Sequence, residues 1–207
     1  MNNEKLIADI CNHYKENGYQ HIHLELQMYS IDDVKHLVSG YVPKIIGTDG
    51  KVYRLWCKSG IKKTEVCLED LIKPYEGPCP HQYWMKEGTR NKIVDKLENN
   101  KVLEKSYANF EELYDELVRL KITTGDLFRY DLALRIGKCL DTLPKDYVYL
   151  HRGALEGAQV LQTKGLVTLP ANWKYRVEKS VFAKLFPDME AFDIENLLCI
   201  HKEDFKK

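Results

Sequence analysis

Asn109-Phe110-Glu111-Glu112-Leu113-Tyr114-Asp115-Glu116-Leu117-Val118-Arg119-Leu120, then Lys121-Ile122-Thr123-Thr124-Gly125-Asp126, then Leu127-Phe128-Arg129-Tyr130-Asp131-Leu132: the reading of this stretch decides the fold. Phe110, Leu113, Tyr114, Leu117 and Val118 fall at i, i+3, i+4, i+7 and i+8, the spacing of one buried helical face. Asn109 followed by Glu112 is a helix-start signal, a side-chain cap with a carboxylate at the third helical position. Beyond the turn, Phe128, Leu132, Ile136 and Leu140 recur at every fourth residue. The spacing predicts two amphipathic helices joined by a turn that contains Gly125, a helix-hairpin-helix unit.

Working upstream, Gly88 to Asn100 reads as a solvated helix anchored by Ile93, Val94 and Leu97, with basic Arg90, Lys92 and Lys96 interspersed among acidic residues. Pro74 to Pro80 holds three prolines and a glycine, which neither a helix nor a central strand accommodates, and marks a boundary. Lys44 to Ile46 and Val52 to Cys57 flank Gly47-Thr48-Asp49-Gly50, the pattern of a β-hairpin. Thr64 to Leu68 fits a strand or a helical turn. Ser30 with Asp33 starts a short helix over 31 to 38, and His21 to Met28 alternates polar and apolar residues as a half-buried strand does. Leu6, Ile7, Ile10, Cys11 and Tyr14 predict a first helix over Glu4 to Asn17, stopped by Gly18.

Downstream, Tyr147 to Leu150 is β-prone, and Ala154 to Gln162 reads as a helix closed by Gly165. The remainder, including Trp173, Val181 to Phe186 and Ile194 to Ile200, reads as short helices. The expected fold class is α+β, mainly α: a mixed N-terminal portion with a β-hairpin over 1–73, a proline-rich connector over 74–87, and a mainly helical helix-hairpin-helix portion over 88–207, the two portions sharing one core.

The 207 residues are 44% hydrophobic and 30% charged, an ordinary globular balance, and no apolar run approaches the roughly 20 residues of a membrane span. A cytoplasmic protein without a membrane partner is the expectation. Lysine plus arginine equal aspartate plus glutamate at 31 each, so the chain lacks the basic excess of a protein that grips a long polyanion; a local basic face stays open. Six scattered cysteines without a Cys-x-x-Cys pair argue for packed thiols rather than a zinc knuckle. His23-Leu24-Glu25 with Pro78-Cys79 is similar to half of a zinc deaminase signature, but Gln82 stands where the second cysteine belongs. No metal and no cofactor are expected.

The segment 109–157 resembles the helix-hairpin-helix DNA glycosylase superfamily, in which a Leu-x-Gly-Ile/Val-Gly hairpin precedes a second helix, a proline-containing connector and a Val-Asp-x-His segment. The matching residues here are Ile122 to Gly125, the helix from Leu127, Pro144, and Val148-Tyr149-Leu150-His151. The resemblance implies a hairpin whose backbone N–H groups hold a phosphate, often with a metal ion on the hairpin carbonyls. Thr123 and Thr124 depart from the pattern. Leu127 replaces the family's lysine nucleophile and Tyr149 its aspartate, so the resemblance points to binding without standard base excision.

Gly125 and Arg152 are the candidate phosphate-binding residues; a glycine between helices equally serves only to turn the chain, and Asp126 to cap a helix. Asp131 and His151 are the candidate acid and base, with Arg129 and Tyr130 beside them; the competing reading is an Asp131 and Arg135 surface pair and a hydrogen-bonded histidine. His81, Gln82 and Trp84 form an aromatic and polar group suited to stacking on a base, or to docking the linker. DNA, RNA or a nucleotide is the expected partner. The alternatives are an enzyme acting on a small nucleotide or modified base through Asp131 and His151, and a protein-protein interaction module.

Overall fold

A computed structural model describes residues 3–15, 26, 29–39, 45–46, 52–53, 85–122 and 125–207. In chain order these form α1 (Asn3–Tyr14), α2 (Val34–Ser39), β1 (Ile45–Ile46), β2 (Val52–Tyr53), α3 (Glu87–Asn99), α4 (Phe110–Arg119), α5 (Asp126–Cys139), β3 (Tyr147–Tyr149), α6 (Arg152–Thr163), β4 (Arg176–Glu178) and α7 (Ala191–Ile200). The fold is α+β and mainly α. No helix among the described residues is long and apolar enough to cross a membrane.

The chain divides into two compact units that interleave in sequence. One takes in α1, Asn109–Glu111 and Leu143–Lys207; the other takes the described residues up to Ala108 and from Glu112 to Thr142. The expected connector over 74–87 lies outside the described residues except at its last three positions.

In the unit that carries the helix-hairpin-helix, α3 buries Ile93, Val94 and Leu97, the three anchors its sequence offered. Helix α4 buries Leu113, Tyr114 and Leu117, while Val118 is 38% exposed at the edge of the stripe. The carboxylate of Glu112 reaches back to accept the N–H of Ala108 at 2.7 Å, one residue before the Asn109 N–H that a capping box would use. Helix α2 packs against α3 and α5. Its cap is Asp33, whose Oδ1 accepts the N–H of His36 at 3.0 Å, so the helix begins later than the Ser30 signal suggested. Strands β1 and β2 pair antiparallel with Ile45 opposite Tyr53 and Ile46 opposite Val52, which is the expected hairpin.

Two sequence expectations are corrected here. Helix α5 is not amphipathic: Phe128, Tyr130 and every residue from Leu132 to Gly137 are buried, so it is surrounded rather than half-covered. Even Arg135 is 3% exposed; Nη1 donates to the Leu37 carbonyl at 3.1 Å and its guanidinium lies 5.4 Å from the Tyr29 ring centroid, which lets a cation be buried on a helix that has no polar side. The strand expected over 21–28 lies outside the described residues except at Leu26, where the backbone is helical.

In the other unit, β3 pairs with β4 in antiparallel register, Tyr147 opposite Glu178, Val148 opposite Val177 and Tyr149 opposite Arg176. The sequence reading placed only short helices after Gly165, and β4 corrects it: three residues are too few to show a period, and Val177, opposite Val148, is buried in the core. Helices α6 and α7 pack closely, and α1 adds Ile7, Ile10 and Tyr14 to the same core. The helix expected over 194–200 begins earlier, at Ala191. Tyr14 Oη donates to Asp193 Oδ1 at 3.2 Å and accepts from Asn196 Nδ2 at 2.9 Å, tying α1 to α7. Burial, and then the adjacent Asp193 charge, hold the Tyr14 phenol protonated well above its ordinary range. Nearby, His201 Nδ1 lies 2.9 Å from Asp204 Oδ2, and burial lowers the pKa of this imidazole.

Candidate functional site

The hairpin is built by the way α4 stops. Lys121 takes a left-handed backbone, φ 50°, its N–H donates to the Val118 carbonyl at 2.9 Å, and the Ile122 N–H donates to the Leu117 carbonyl at 3.1 Å. This is a Schellman termination, and Ile122, which follows it, is buried. It was not legible in the sequence because a lysine stands where glycine is usual. The same closure follows α5, with Asp141 at φ 55°, and α6, with Gly165 at φ 70°.

Terminating α4 leaves carbonyl oxygens in need of donors, and two cations supply them. Lys96, from α3, places Nζ 3.1 Å from the Leu120 carbonyl and 3.0 Å from the Lys121 carbonyl. Arg129, from the first turn of α5, reaches back with Nε to the Ile122 carbonyl at 3.2 Å. Its Nη1 holds Asp126 Oδ1 at 2.9 Å and its guanidinium carbon lies 5.8 Å from the Tyr114 ring centroid. Three successive carbonyls of the turn are therefore occupied by the protein's own positive charge. A cation at the C-terminal end of one helix is favourable on electrostatic grounds.

Gly125 stands three positions after Ile122. It is exposed and stands at the N-cap of α5 with φ 151° and ψ 159°, a conformation that side chains other than glycine rarely adopt. Among the described residues, a Cβ placed there would meet nothing within 4 Å. The first-turn N–H groups of α5 have no acceptor within their own helix. Asp126 is exposed, and its charge is offset by Arg129. Thr123 and Thr124 lie outside the described residues, as do His81, Gln82 and Trp84.

The other sequence candidates separate. Asp131 is half-buried and Tyr130 is 1% exposed; both belong to the hairpin unit. His151 is 5% exposed and caps α6 in the other unit, followed by exposed Arg152 in a left-handed backbone, φ 33°. Tyr149, which stands at the aspartate position of the resemblance, is fully buried and accepts a hydrogen bond from Arg176 Nη1 at 3.2 Å. Its ring lies 6.1 Å from that of His151, and Phe110 meets it edge-on at 5.2 Å. Tyr149 thus fills its site as a packed, hydrogen-bonded ring. Among the described residues no three His, Cys, Asp or Glu side chains converge as metal ligands would.

Two groups went unread in the sequence. Lys96 looked like one charge on a solvated helix, and only the packing of α3 brings it to the hairpin. Arg176 lies over three tyrosine rings, 5.2 Å from Tyr147, 5.9 Å from Tyr149 and 5.3 Å from Tyr175. The signal for the second was there: Trp173-Lys174-Tyr175-Arg176 alternates aromatic and basic residues.

Comparison with protein-family models, with curated proteins and with solved structures found no match to this chain.

Proposed function

We propose that the chain binds nucleic acid or a nucleotide through the helix-hairpin-helix, with the backbone at Gly125 and the start of α5 facing a phosphate. One observation carries this reading: Lys96 Nζ lies 3.1 and 3.0 Å from the Leu120 and Lys121 carbonyls, so positive charge is held on the turn that leads to the exposed start of α5. Lys121 is exposed beside it. A chain with no net charge thereby gains a local anion-attracting surface.

The arrangement binds and positions. Phosphate contacts of this kind carry little sequence information, and the pair that would give acid and base chemistry, Asp131 and His151, is divided between the two units.

Fluorescence polarisation with short labelled DNA and RNA tests it. Binding is expected, weakening as salt rises. Lys121→Glu is expected to lower affinity for all sequences alike, and Gly125→Val to lower it by blocking the backbone. Equal binding by wild type and both variants would rule the hairpin out as the contact.

A further inference from the structure

The β3 and β4 ribbon, in the unit that does not carry the hairpin, has two unlike faces. Val148 and Val177, opposite each other in register, are buried in the core. Tyr149 and Arg176, the next pair, share the other face. There the Arg176 guanidinium lies within 6 Å of the centroids of Tyr147, Tyr149 and Tyr175, and Tyr175 stacks on Tyr149 at 6.3 Å and 23°. Tyr149 is sealed beneath, whereas Tyr147, Tyr175 and Arg176 are only partly buried. Trp173, which packs against the core, and exposed Lys174 precede Tyr175 in the chain, and exposed Arg152 follows His151, whose ring centroid lies 6.1 Å from that of Tyr149.

We propose that this ribbon is a stacking surface for single-stranded nucleic acid, with unpaired bases on Tyr147 and Tyr175 and phosphates on Lys174, Arg176 and Arg152. The chemistry selects this partner. Flat rings with part of their area in solvent, alternating with cations, complement a strand that alternates bases with anionic phosphates. A duplex hides its base faces and could use only the cations. An acidic peptide could use the cations as well but not the rings. The tyrosine layer is held in place before binding by Arg176, which donates to the Tyr149 hydroxyl at 3.2 Å, so few rotamers are lost when a base lands on it.

The proposal extends the nucleic-acid reading to a second surface, and the two fail separately: Lys121→Glu reports on the hairpin and the ribbon variants report here. Polarisation would be measured with fluorescein-labelled oligothymidylate, a duplex of the same length, and an oligoglutamate peptide of matched charge. The single strand is expected to bind tightest. Tyr147→Leu with Tyr175→Leu, which keeps apolar volume but removes both rings, is expected to weaken it by at least about tenfold. Because this variant could unfold, the wild-type protein would also be crosslinked by light to an iodouracil-substituted strand and the attachment sites mapped by mass spectrometry. Attachment at Tyr147 or within 173–176 is expected. Attachment only elsewhere, equal binding of the oligoglutamate peptide, or undiminished binding by a folded double-leucine variant would each overturn the proposal.

Discussion

Gly157 of α6 faces the backbone of Leu198 of α7 so closely that a Cβ added to the glycine would stand 2.4 Å from the Leu198 carbonyl oxygen. One turn earlier, a Cβ on Gly153 would stand 2.6 Å from Cys199 Sγ. The two glycines share a helical face, and together they set how near the helices lie. The obstacle at Gly157 is backbone, which cannot rotate aside, whereas the one at Gly153 is a side chain.

Gly157→Ala is therefore expected to destabilise the fold by about 1 to 3 kcal/mol, despite the better helix propensity of alanine. Gly153→Ala should cost less, since the Cys199 side chain has room to adjust. Urea denaturation of both variants checks the order; a Gly157→Ala protein as stable as wild type would show that α6 and α7 do not pack as described.

Tyr14→Phe removes the hydroxyl that donates to buried Asp193 and accepts from Asn196. Asp193 is 0% exposed, so its carboxylate loses a donor that water cannot replace. A loss of about 1 to 3 kcal/mol is expected, with faster amide exchange in α1 than in α6. Unchanged exchange in α1 would count against the hydroxyl as its tether.

Glu116 accepts hydrogen bonds from Arg119 and Lys105 at 2.6 Å each, within a groove also lined by Tyr107, and these partners hold its carboxyl at about 2 against an ordinary 4.5. A depressed carboxylate pKa stabilises the fold above the unfolded value, and that contribution declines as pH falls from 4.5 to about 2. The melting temperature should fall over this window more steeply in wild type than in Glu116→Gln. Parallel curves would show that the pair contributes no pH-dependent stability.

Lys96 and Arg129 already occupy the carbonyls of Leu120, Lys121 and Ile122. If the hairpin binds nucleic acid, affinity should be the same with magnesium as with a chelator at matched ionic strength, and Lys96→Met should lower it by about tenfold through loss of charge. A metal requirement in the wild-type protein would contradict this use of the hairpin carbonyls.

What the sequence determined by itself was local. The helical period of α1, α3, α4 and α6, the Glu112 carboxylate at the start of α4, the glycine stop after α6 and the β1 and β2 hairpin were all legible, because each depends on residues a few positions apart. The place of the hairpin turn, with Gly125 at its exit, was legible for the same reason. The tertiary structure alone decided that α5 is buried all round over Leu132 to Gly137, that Arg176 to Glu178 is a strand, that Lys96 reaches the hairpin carbonyls and that Arg176 gathers three tyrosines. Each of these joins segments distant along the chain, and such pairing depends on which surfaces remain to be covered once the local elements have formed. A period records which face of an element is apolar; it does not record what comes to lie against it.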